Sequence, residues 1–251
     1  MSVSRRTLIT RGLAAAAGVS GLAVASRLAS RYGLIPPDSG GIWGIGETLT
    51  YATQRLLMSH HSLAREFSRS EISKVVPVSG EPPKTEPFER LLAGSFADWR
   101  LTVDGMVAHP SSFSLEEIKR FPSRSQITHQ ACEEGWSFIA EWTGVPLSYV
   151  LNLVGISPQA KFVVFFPFDE SWDSLDLPDA FHPQTFLTYG LNGKDLPTRH
   201  GAPIRLRVAR QLGYKSVKYL SRITVTDTLK NIGKGLGSAS PEGGYSWFAG
   251  I

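Results

Sequence analysis

The chain contains a single cysteine, Cys132, among its 251 residues. One cysteine cannot form an internal disulfide, and without a second cysteine or a CxxC pair the familiar structural zinc sites are excluded. Cys132 can therefore be a buried apolar residue, a nucleophile with a histidine base, or a thiolate ligand. A soft, single thiolate suits a metal whose other ligands come from a cofactor. The remaining sequence has to decide among these alternatives.

A basic tract interleaved with aromatic residues, the usual mark of nucleic-acid binding, is also missing. The full chain holds 26 basic and 22 acidic residues, but three of the arginines lie in residues 1–25, which contain no acid. Residues 26–251 therefore hold 23 basic and 22 acidic residues. This near balance does not predict a nucleic-acid partner.

The sequence has no apolar run of the roughly 20 residues that span a membrane comfortably. Residues 13–25 form a shorter run, interrupted only by Gly and Ser, after the pair Arg5-Arg6 and ending in Ala23-Val24-Ala25. A charged start, a short apolar run and a small-x-small site indicate an export signal, and the paired arginines favour the Tat route. We expect residues 1–25 to be a Tat signal and the folded part to be periplasmic or otherwise extracytoplasmic. The alternative is an uncleaved membrane anchor.

Beyond the signal, the composition predicts a linker or N-terminal arm over residues 26–47 and one domain over residues 48–251. Ser114 and Glu117 form a capping box that predicts a short helix. Residues 126–131 form a predicted strand leading to Cys132, and residues 146–154 a helix ending at Gly155. Further strands are predicted at residues 99–103, with a turn at residues 104–105, and at residues 161–168, 185–189, 202–208 and 222–226. Short strands mixed with short helices, without regular βαβ alternation, predict an α+β fold.

Three blocks of the sequence resemble the sulfite oxidase family. The first is CEEGWS at residues 132–137 with WTGVPL at 142–147, the second NGKDLP at 192–197 with RHGAPIRL at 199–206, and the third GYKSVKY at 213–219. Their order and spacing are more specific than any block alone, and the resemblance covers about residues 96–227. The chain is most similar to the small Tat-exported bacterial branch that includes the catalytic subunit of protein-methionine-sulfoxide reductase. The resemblance implies a sulfite oxidase-type molybdopterin-binding fold with mixed sheets and short helices.

The resemblance also implies a molybdenum ion held by the dithiolene of one molybdopterin and by Cys132. Arg205 and Lys218 match family positions at the phosphate end of the cofactor, where a guanidinium fork and a compact ammonium both suit phosphate. Taken alone, both could be ordinary solvated charges. His200 and the backbone at Ser216 and Val217 are expected beside them. Further cofactor contacts are predicted, by a loose match, at His60, His61, Arg65 and Glu66, and His129 is predicted as a cofactor contact as well. Residues 60–66 could equally form a surface helix.

The sequence departs from sulfite-oxidising members beside the cysteine. Those members carry an arginine-rich stretch there and a tyrosine over the metal, whereas Glu133 and Glu134 follow Cys132 here and Trp172 stands roughly where the tyrosine would. Two glutamates disfavour an anionic substrate. We therefore expect an enzyme that reduces an S-oxide or N-oxide, small or protein-bound, with Cys132, Trp172 and Asp173 as catalytic residues.

Three alternatives remain open at this point: oxidation of a sulfite-like oxyanion, a molybdopterin-binding module without turnover, and a cofactor-free cysteine hydrolase. Since we find no haem-binding domain in the sequence, a separate electron-transfer partner is expected, either a membrane haem protein or a cytochrome. The chain itself is expected to be a monomer.

Overall fold

The computed structural model describes residue 29, residues 33–58 and residues 62–251. Residues 1–25, predicted as the signal, and His60 and His61, predicted as cofactor contacts, lie outside the described residues. Within the described part the strands are β1 (Arg100–Gly105), β2 (Ser111–Ser114), β3 (Arg124–Ala131), β4 (Ser137–Pro146), β5 (Phe162–Pro167), β6 (Asp173–Asp176), β7 (Thr185–Leu191), β8 (Lys194–Asp195), β9 (Arg205–Val208) and β10 (Leu220–Thr226).

The α-helices of the same described residues are α1 (Gly44–Leu57), α2 (Glu86–Ala93), α3 (Leu115–Arg120), α4 (Leu147–Val154), α5 (Leu177–Ala180) and α6 (Ala239–Glu242). Single 3-10 turns lie at Pro37–Gly40, Arg69–Glu71, Thr198–His200 and Gly213–Lys215. None of the described helices is long and apolar enough to cross a membrane.

Within the described residues the strands form two sheets. One has the order β2-β1-β10-β5-β6; the other has β3-β4-β7-β8, with β9 also paired to β7. All of these pairs are antiparallel except β1 with β10. The main apolar core lies between the sheets, since it contains Val103 and Ile223 of the first, Leu187 and Leu206 of the second, and the inner face of α4. The predicted α+β class is confirmed.

Local sequence signals explain several element boundaries. In α3 the side chain of Ser114 accepts from the Glu117 backbone, and the Glu117 carboxylate accepts from the Ser114 backbone, so the capping box is confirmed. Helix α4 ends where Gly155 adopts the left-handed conformation, with φ +66°, as glycine does most easily.

Two predicted boundaries were wrong, in both cases because tertiary pairing outweighs local composition. The predicted turn at Asp104-Gly105 lies inside β1, since pairing with β10 continues to Gly105 opposite Val225. The predicted strand 202–208 begins only at Arg205, because pairing with β7 begins there, with Arg205 opposite Thr188.

Helix α1 is fixed to the body by a buried ionic cluster. Arg55 Nη2 lies 2.6 Å from Asp176 Oδ2 and 2.7 Å from Asp179 Oδ2, and the Tyr51 hydroxyl donates to Asp176 at 2.7 Å. Arg210 Nη2 contacts the other oxygen of Asp179 at 2.6 Å. The cluster therefore joins the N-terminal helix to the β6–α5 corner of the domain.

We predict that Arg55→Ala lowers the free energy of unfolding by about 3 kcal/mol, because it leaves two buried carboxylates without one of their cations. Denaturant unfolding measures this loss. The matched control is Arg120→Ala, which breaks the exposed pair with Glu116 at 3.3 Å and should have no measurable effect. An Arg55→Ala protein as stable as this control would contradict the role of the cluster.

Candidate active site

A cavity of about 320 Å³ opens where the ends of several elements meet. Its wall combines the turn after β3, the start of β6, the segments on either side of β9 and the loop at residues 77–81. The predicted site residues that it brings together are Cys132, Trp172, Asp173, His200, Arg205, Ser216, Val217 and Lys218. Residues far apart in the sequence thus share one cavity.

Cys132 reaches the cavity through the alternation of β3. Buried positions alternate at Gln126, Thr128 and Gln130, and Cys132 continues the same face just after the strand ends. Its backbone N–H donates to Trp136 at 2.9 Å, which closes a tight turn. The thiol is 8% exposed and donates to Glu133 Oε2 at 3.2 Å. Burial, together with the nearby glutamates, raises the pKa of the Cys132 thiol to about 11.

A second part of the wall holds cations without carboxylate partners. Arg205 is 4% exposed, and its terminal nitrogens donate to the backbone carbonyls of His200 at 3.0 Å and Ser216 at 2.8 Å. Lys218 Nζ donates to the carbonyls of Ser79 at 2.7 Å and Arg199 at 3.2 Å. Among the described residues, neither cation forms an ion pair. Carbonyl dipoles compensate a buried positive charge only partly, so this part of the wall favours an anion.

The pKa values of Arg205, Lys218 and His200 reflect the same excess of buried positive charge. Burial lowers the pKa of Arg205 to about 10. Burial and then the charge of Arg205 lower the pKa of Lys218 to about 8. Burial and then the charges of Arg205, Lys218 and Arg199 lower the pKa of His200 to about 4. The neighbouring positive charges thus destabilise the protonated forms of Lys218 and His200, and a bound anion would oppose that effect.

Trp142 supports the buried guanidinium groups from β4. The guanidinium carbons of Arg205 and Arg207 each lie 5.3 Å from the centroid of its ring. Arg207 is fully buried and donates to the carbonyl of His129 at 2.7 Å and to Thr128 Oγ1 at 3.2 Å. Cation–π attraction strengthens when the cation is desolvated, so this indole stabilises both arginines.

Trp172 and Asp173 form the wall contributed by the start of β6. Trp172 is 9% exposed and packs against Val164 and Leu229. Asp173 Oδ1 accepts from Lys215 Nζ, which also donates to the carbonyl of Ser174 at 3.0 Å. Burial raises the pKa of Asp173, and the Lys215 charge opposes that rise.

One buried acceptor atom of a cavity-lining residue, Gln130 Oε1, has no hydrogen-bond partner within the described part of the chain. Leaving a buried acceptor unpaired costs about 1–3 kcal/mol. The cavity wall thus combines an unsatisfied acceptor with uncompensated cations, and a ligand with an N–H donor and an anionic group would satisfy both.

Three predicted cofactor residues do not line this cavity. His129 and Gln130 are neighbours in β3, so their side chains point to opposite faces of the sheet, and His129 points away from the face of Gln130. Glu66 forms an isolated bridge with Thr128, and its carboxylate accepts from Gln184 at 3.3 Å. Arg65 is exposed, stacks on Phe67 and lies 3.7 Å from Glu71.

Sequence reasoning also missed part of the wall. Gln130, Glu133, Tyr214 and the loop at residues 77–81 line the cavity, and Lys215 supports it through Asp173. Lys215 sits inside the third block, so its position was a usable signal. The composition of residues 77–81, with its Pro and Gly, predicts a loop but does not indicate which part of the fold that loop contacts.

The family model described as "Oxidoreductase molybdopterin binding domain" matches residues 90–231 of this chain. The match spans more than half of the chain and includes the blocks that meet at the cavity. The chain therefore belongs to this family, and it is a molybdopterin-dependent oxidoreductase of the sulfite oxidase type.

Three similar proteins carry names from one group. The first, from Azospira oryzae, is provisionally named protein-methionine-sulfoxide reductase subunit YedZ1 and is 36% identical over 71% of this chain and 69% of its own. The catalytic subunits MsrP of Xanthomonas axonopodis pv. citri and Xanthomonas campestris pv. campestris are 34% and 33% identical over 58% of this chain. The alignments cover only 50% of the length of each MsrP protein.

A solved structure supports the fold assignment. The sulfane dehydrogenase SoxCD from Paracoccus pantotrophus is 27% identical, with a TM-score of 0.50, over 53% of this chain and 39% of that one. The sulfite oxidase-type molybdopterin-binding fold expected from the sequence is confirmed.

The residues of the cavity fit the molybdenum–molybdopterin cofactor of this family. A molybdopterin carries an anionic phosphate, ring N–H donors and sulfur ligands for the metal. The structure offers the uncompensated Arg205 and Lys218, the unpaired acceptor Gln130 Oε1, and the cavity-lining Cys132 thiol. Each chemical part of the cofactor therefore has a matching group in the wall.

We predict that His200 titrates near pH 4 in cofactor-free protein and that Lys218→Gln raises this pKa, because one neighbouring positive charge is removed. The NMR shift of the His200 imidazole, followed against pH, measures both values. Lys194→Gln is the control, since Lys194 does not contribute to the shift. A His200 pKa near the ordinary 6.5 in the parent would contradict the positive character of the site.

Proposed function

We propose that this protein reduces methionine sulfoxide residues of other proteins outside the cytoplasm. The reaction consumes two electrons and two protons, breaks the sulfur–oxygen bond and yields the thioether and water. The observation that carries the proposal is the single cavity in which Cys132 meets a wall of glutamate and aromatic groups together with buried, uncompensated cations. The names of the three relatives support the choice of substrate.

Holding the cofactor is the first task of the site. Cys132 would provide the protein ligand of the metal, and Arg205 and Lys218 would bind the phosphate, with His200 and the backbone at Ser216 and Val217 beside them. When bound, the cofactor supplies the two-electron oxygen-atom transfer. The two cations would hold the phosphate end of the cofactor and the thiolate would hold the metal end, so the protein would set the orientation of the cofactor.

The charges of the wall near Cys132 favour a neutral substrate over an oxyanion. Glu133 contacts the thiol directly, and Glu134 follows and accepts from the Trp136 indole at 2.7 Å. Asp169 also lines the cavity. A sulfite ion would meet the cavity-lining carboxylates of Glu133 and Asp169, whereas a sulfoxide carries no net charge. The oxyanion-oxidising alternative is therefore disfavoured by electrostatics.

Trp172 and Asp173 would complete the substrate side of the site. The Trp172 indole provides a rigid apolar wall that excludes water from the reacting group. Asp173 is buried and its pKa is raised, because burial disfavours the charged carboxylate, so this group would hold a proton more readily than an exposed aspartate does. Lys215, bound to Oδ1, would position the carboxyl group.

The geometry around the thiol does not favour a cysteine hydrolase. Such an enzyme needs a thiolate activated by a neighbouring base. Here the thiol of Cys132 donates to Glu133, and its pKa is raised to about 11 rather than lowered. A protonated thiol is a poor nucleophile.

Electrons for each turnover would come from a separate protein. We propose a membrane haem subunit as the donor, in line with the relatives, which are named as subunits. The export motif of residues 1–25 supports a catalytic domain outside the cytoplasm, where it could meet such a membrane subunit. Cytochrome-mediated delivery remains the alternative partner class.

We predict about one molybdenum per chain in the parent and a large loss of metal in Cys132→Ala, because the protein ligand is removed. Mass-spectrometric metal analysis of protein made in a host that produces the cofactor measures both. In parallel, the parent should reduce peptide methionine sulfoxide with an artificial reduced dye, and the variant should lose at least about 1,000-fold of this activity, roughly 4 kcal/mol.

The outcomes separate the alternatives. Molybdenum without reduction of any S-oxide or N-oxide would favour a binding module, and a folded parent without molybdenum would overturn the enzyme proposal. Glu134→Gln is the matched control, since it changes a neighbouring charge without removing the ligand.

We further predict that Lys218→Gln lowers molybdopterin occupancy several-fold, because one of the two cations proposed to bind the phosphate is lost. Fluorescence of the oxidised pterin released from equal amounts of protein measures the occupancy. Lys194→Gln, an exposed lysine in the β7–β8 hairpin, should retain the parental content. Equal occupancy in both variants would remove Lys218 from the proposed phosphate site.

A further inference from the structure

The outward face of α1 is apolar. Ile45, Leu49, Ala52 and Leu56 follow one another at i, i+4, i+7 and i+11, which places them within about 60° of the helix circumference. Ile45, Leu49 and Leu56 are 83%, 64% and 70% exposed. These four residues are called the apolar stripe below. An exposed patch of this kind marks an interaction site more often than a chance arrangement.

Further apolar residues are exposed at the two ends of the helix. Ile42 and Trp43, just before α1, are 90% and 65% exposed, and Leu57 at its end is 79% exposed. The two charged residues of the helix point elsewhere, because Glu47 accepts from Ser246 at 2.9 Å and Arg55 pairs with Asp176 and Asp179. The outward face therefore carries no charge.

The exposure of the apolar stripe is fixed by the opposite face of α1. Tyr51 is buried, packs against Trp247 and Phe248 at centroid distances of 5.8 and 5.2 Å, and donates to Asp176. Turning the apolar stripe inward would rotate Arg55 and Tyr51 away from their buried partners. The helix is thus held rigidly with its apolar side out.

We propose that the apolar stripe docks on the lipid surface of a membrane, with α1 parallel to the bilayer. Interfacial helices of this kind bury an apolar face at the boundary of head groups and acyl chains. Trp43 stands at one end of the stripe, where an amphipathic indole suits the interface. Since the face is uncharged, the attraction is apolar and does not depend on anionic lipid.

In the uncleaved-anchor alternative for residues 1–25, the sequence on the N-terminal side points to the same occupant. The apolar run of residues 13–25 ends only 18 residues before α1. Eighteen residues span at most about 60 Å, so a chain held in a membrane by that run keeps α1 near its surface. The proposal concerns the location of the domain and stands apart from the catalytic proposal.

Vesicle flotation of the full chain tests the docking. The variant combines Ile45→Ser, Leu49→Ser and Leu56→Ser; the matched control combines Leu63→Ser, Val75→Ser and Leu153→Ser, three other exposed apolar residues. We expect the parent and the control to bind phosphatidylcholine vesicles equally, and the stripe variant to bind at least tenfold more weakly. Adding phosphatidylglycerol or salt should change parental binding less than twofold. Thermal unfolding verifies that both variants fold.

Three results would overturn the proposal. The first is parental affinity in the stripe variant, which would leave the apolar stripe without a lipid contact. The second is binding that requires anionic lipid or disappears in salt. The third is a parental dimer that becomes a monomer in the stripe variant while vesicle binding is unchanged, which would assign the apolar stripe to a second copy of the chain.

A second readout does not depend on the triple variant. Phosphatidylcholine brominated at shallow acyl positions should quench part of the tryptophan fluorescence of the bound parent. The substitution Trp43→Phe should remove that quenched part while leaving the emission of the remaining tryptophans. Quenching that is the same in Trp43→Phe would place this end of α1 away from the lipid and contradict the proposal.

Discussion

The burial of Arg205 and Arg207 on one face of β9 is the constraint on which the site depends. A guanidinium taken out of water loses hydration that only hydrogen bonds and opposite charge can replace. Here backbone carbonyls and the Trp142 ring supply part of the compensation. No carboxylate pairs with Arg205 or Arg207 in the described part of the chain. The remaining imbalance makes the part of the cavity wall at Arg205 favour an anionic group.

This constraint explains why distant sequence blocks occur together. Trp142 comes from β4 and the two arginines from β9, and both strands pair with β7. Gly144 lies at the register shift between β4 and β7, where an added Cβ would stand 2.2 Å from the Leu187 carbonyl oxygen. A larger residue would push the strands apart. Gly144, two residues after Trp142, thus allows β4 and β7 to approach closely, and this approach places the indole against Arg205 and Arg207.

The parts of the fold that depend on neighbouring residues could be predicted from the sequence, whereas contacts between distant residues mostly could not. The capping box at Ser114, the cap at Gly155 and the strand before Cys132 follow from neighbouring residues, and the family blocks located nearly half of the residues that line the cavity. The pair of Asp173 with Lys215 joins positions 42 residues apart, and nothing local announces it. His129 was assigned by its nearness to Cys132 in sequence, yet strand alternation turns it to the other face.

The buried arginines Arg55 and Arg205 differ in how far the chain itself compensates their charge, and this difference separates a structural role from a role in the site. Arg55 meets two carboxylates, so its charge is compensated within the chain and the cluster can serve purely to fix α1. Arg205 meets only carbonyls and an indole, so its compensation has to come from outside the chain. Asp173 is intermediate, since Lys215 pairs with its carboxylate while burial still raises its pKa. At the cavity, the incomplete compensation of a buried charge therefore marks Arg205 as a candidate ligand contact, whereas compensation within the chain marks Arg55 as a residue that holds the fold together.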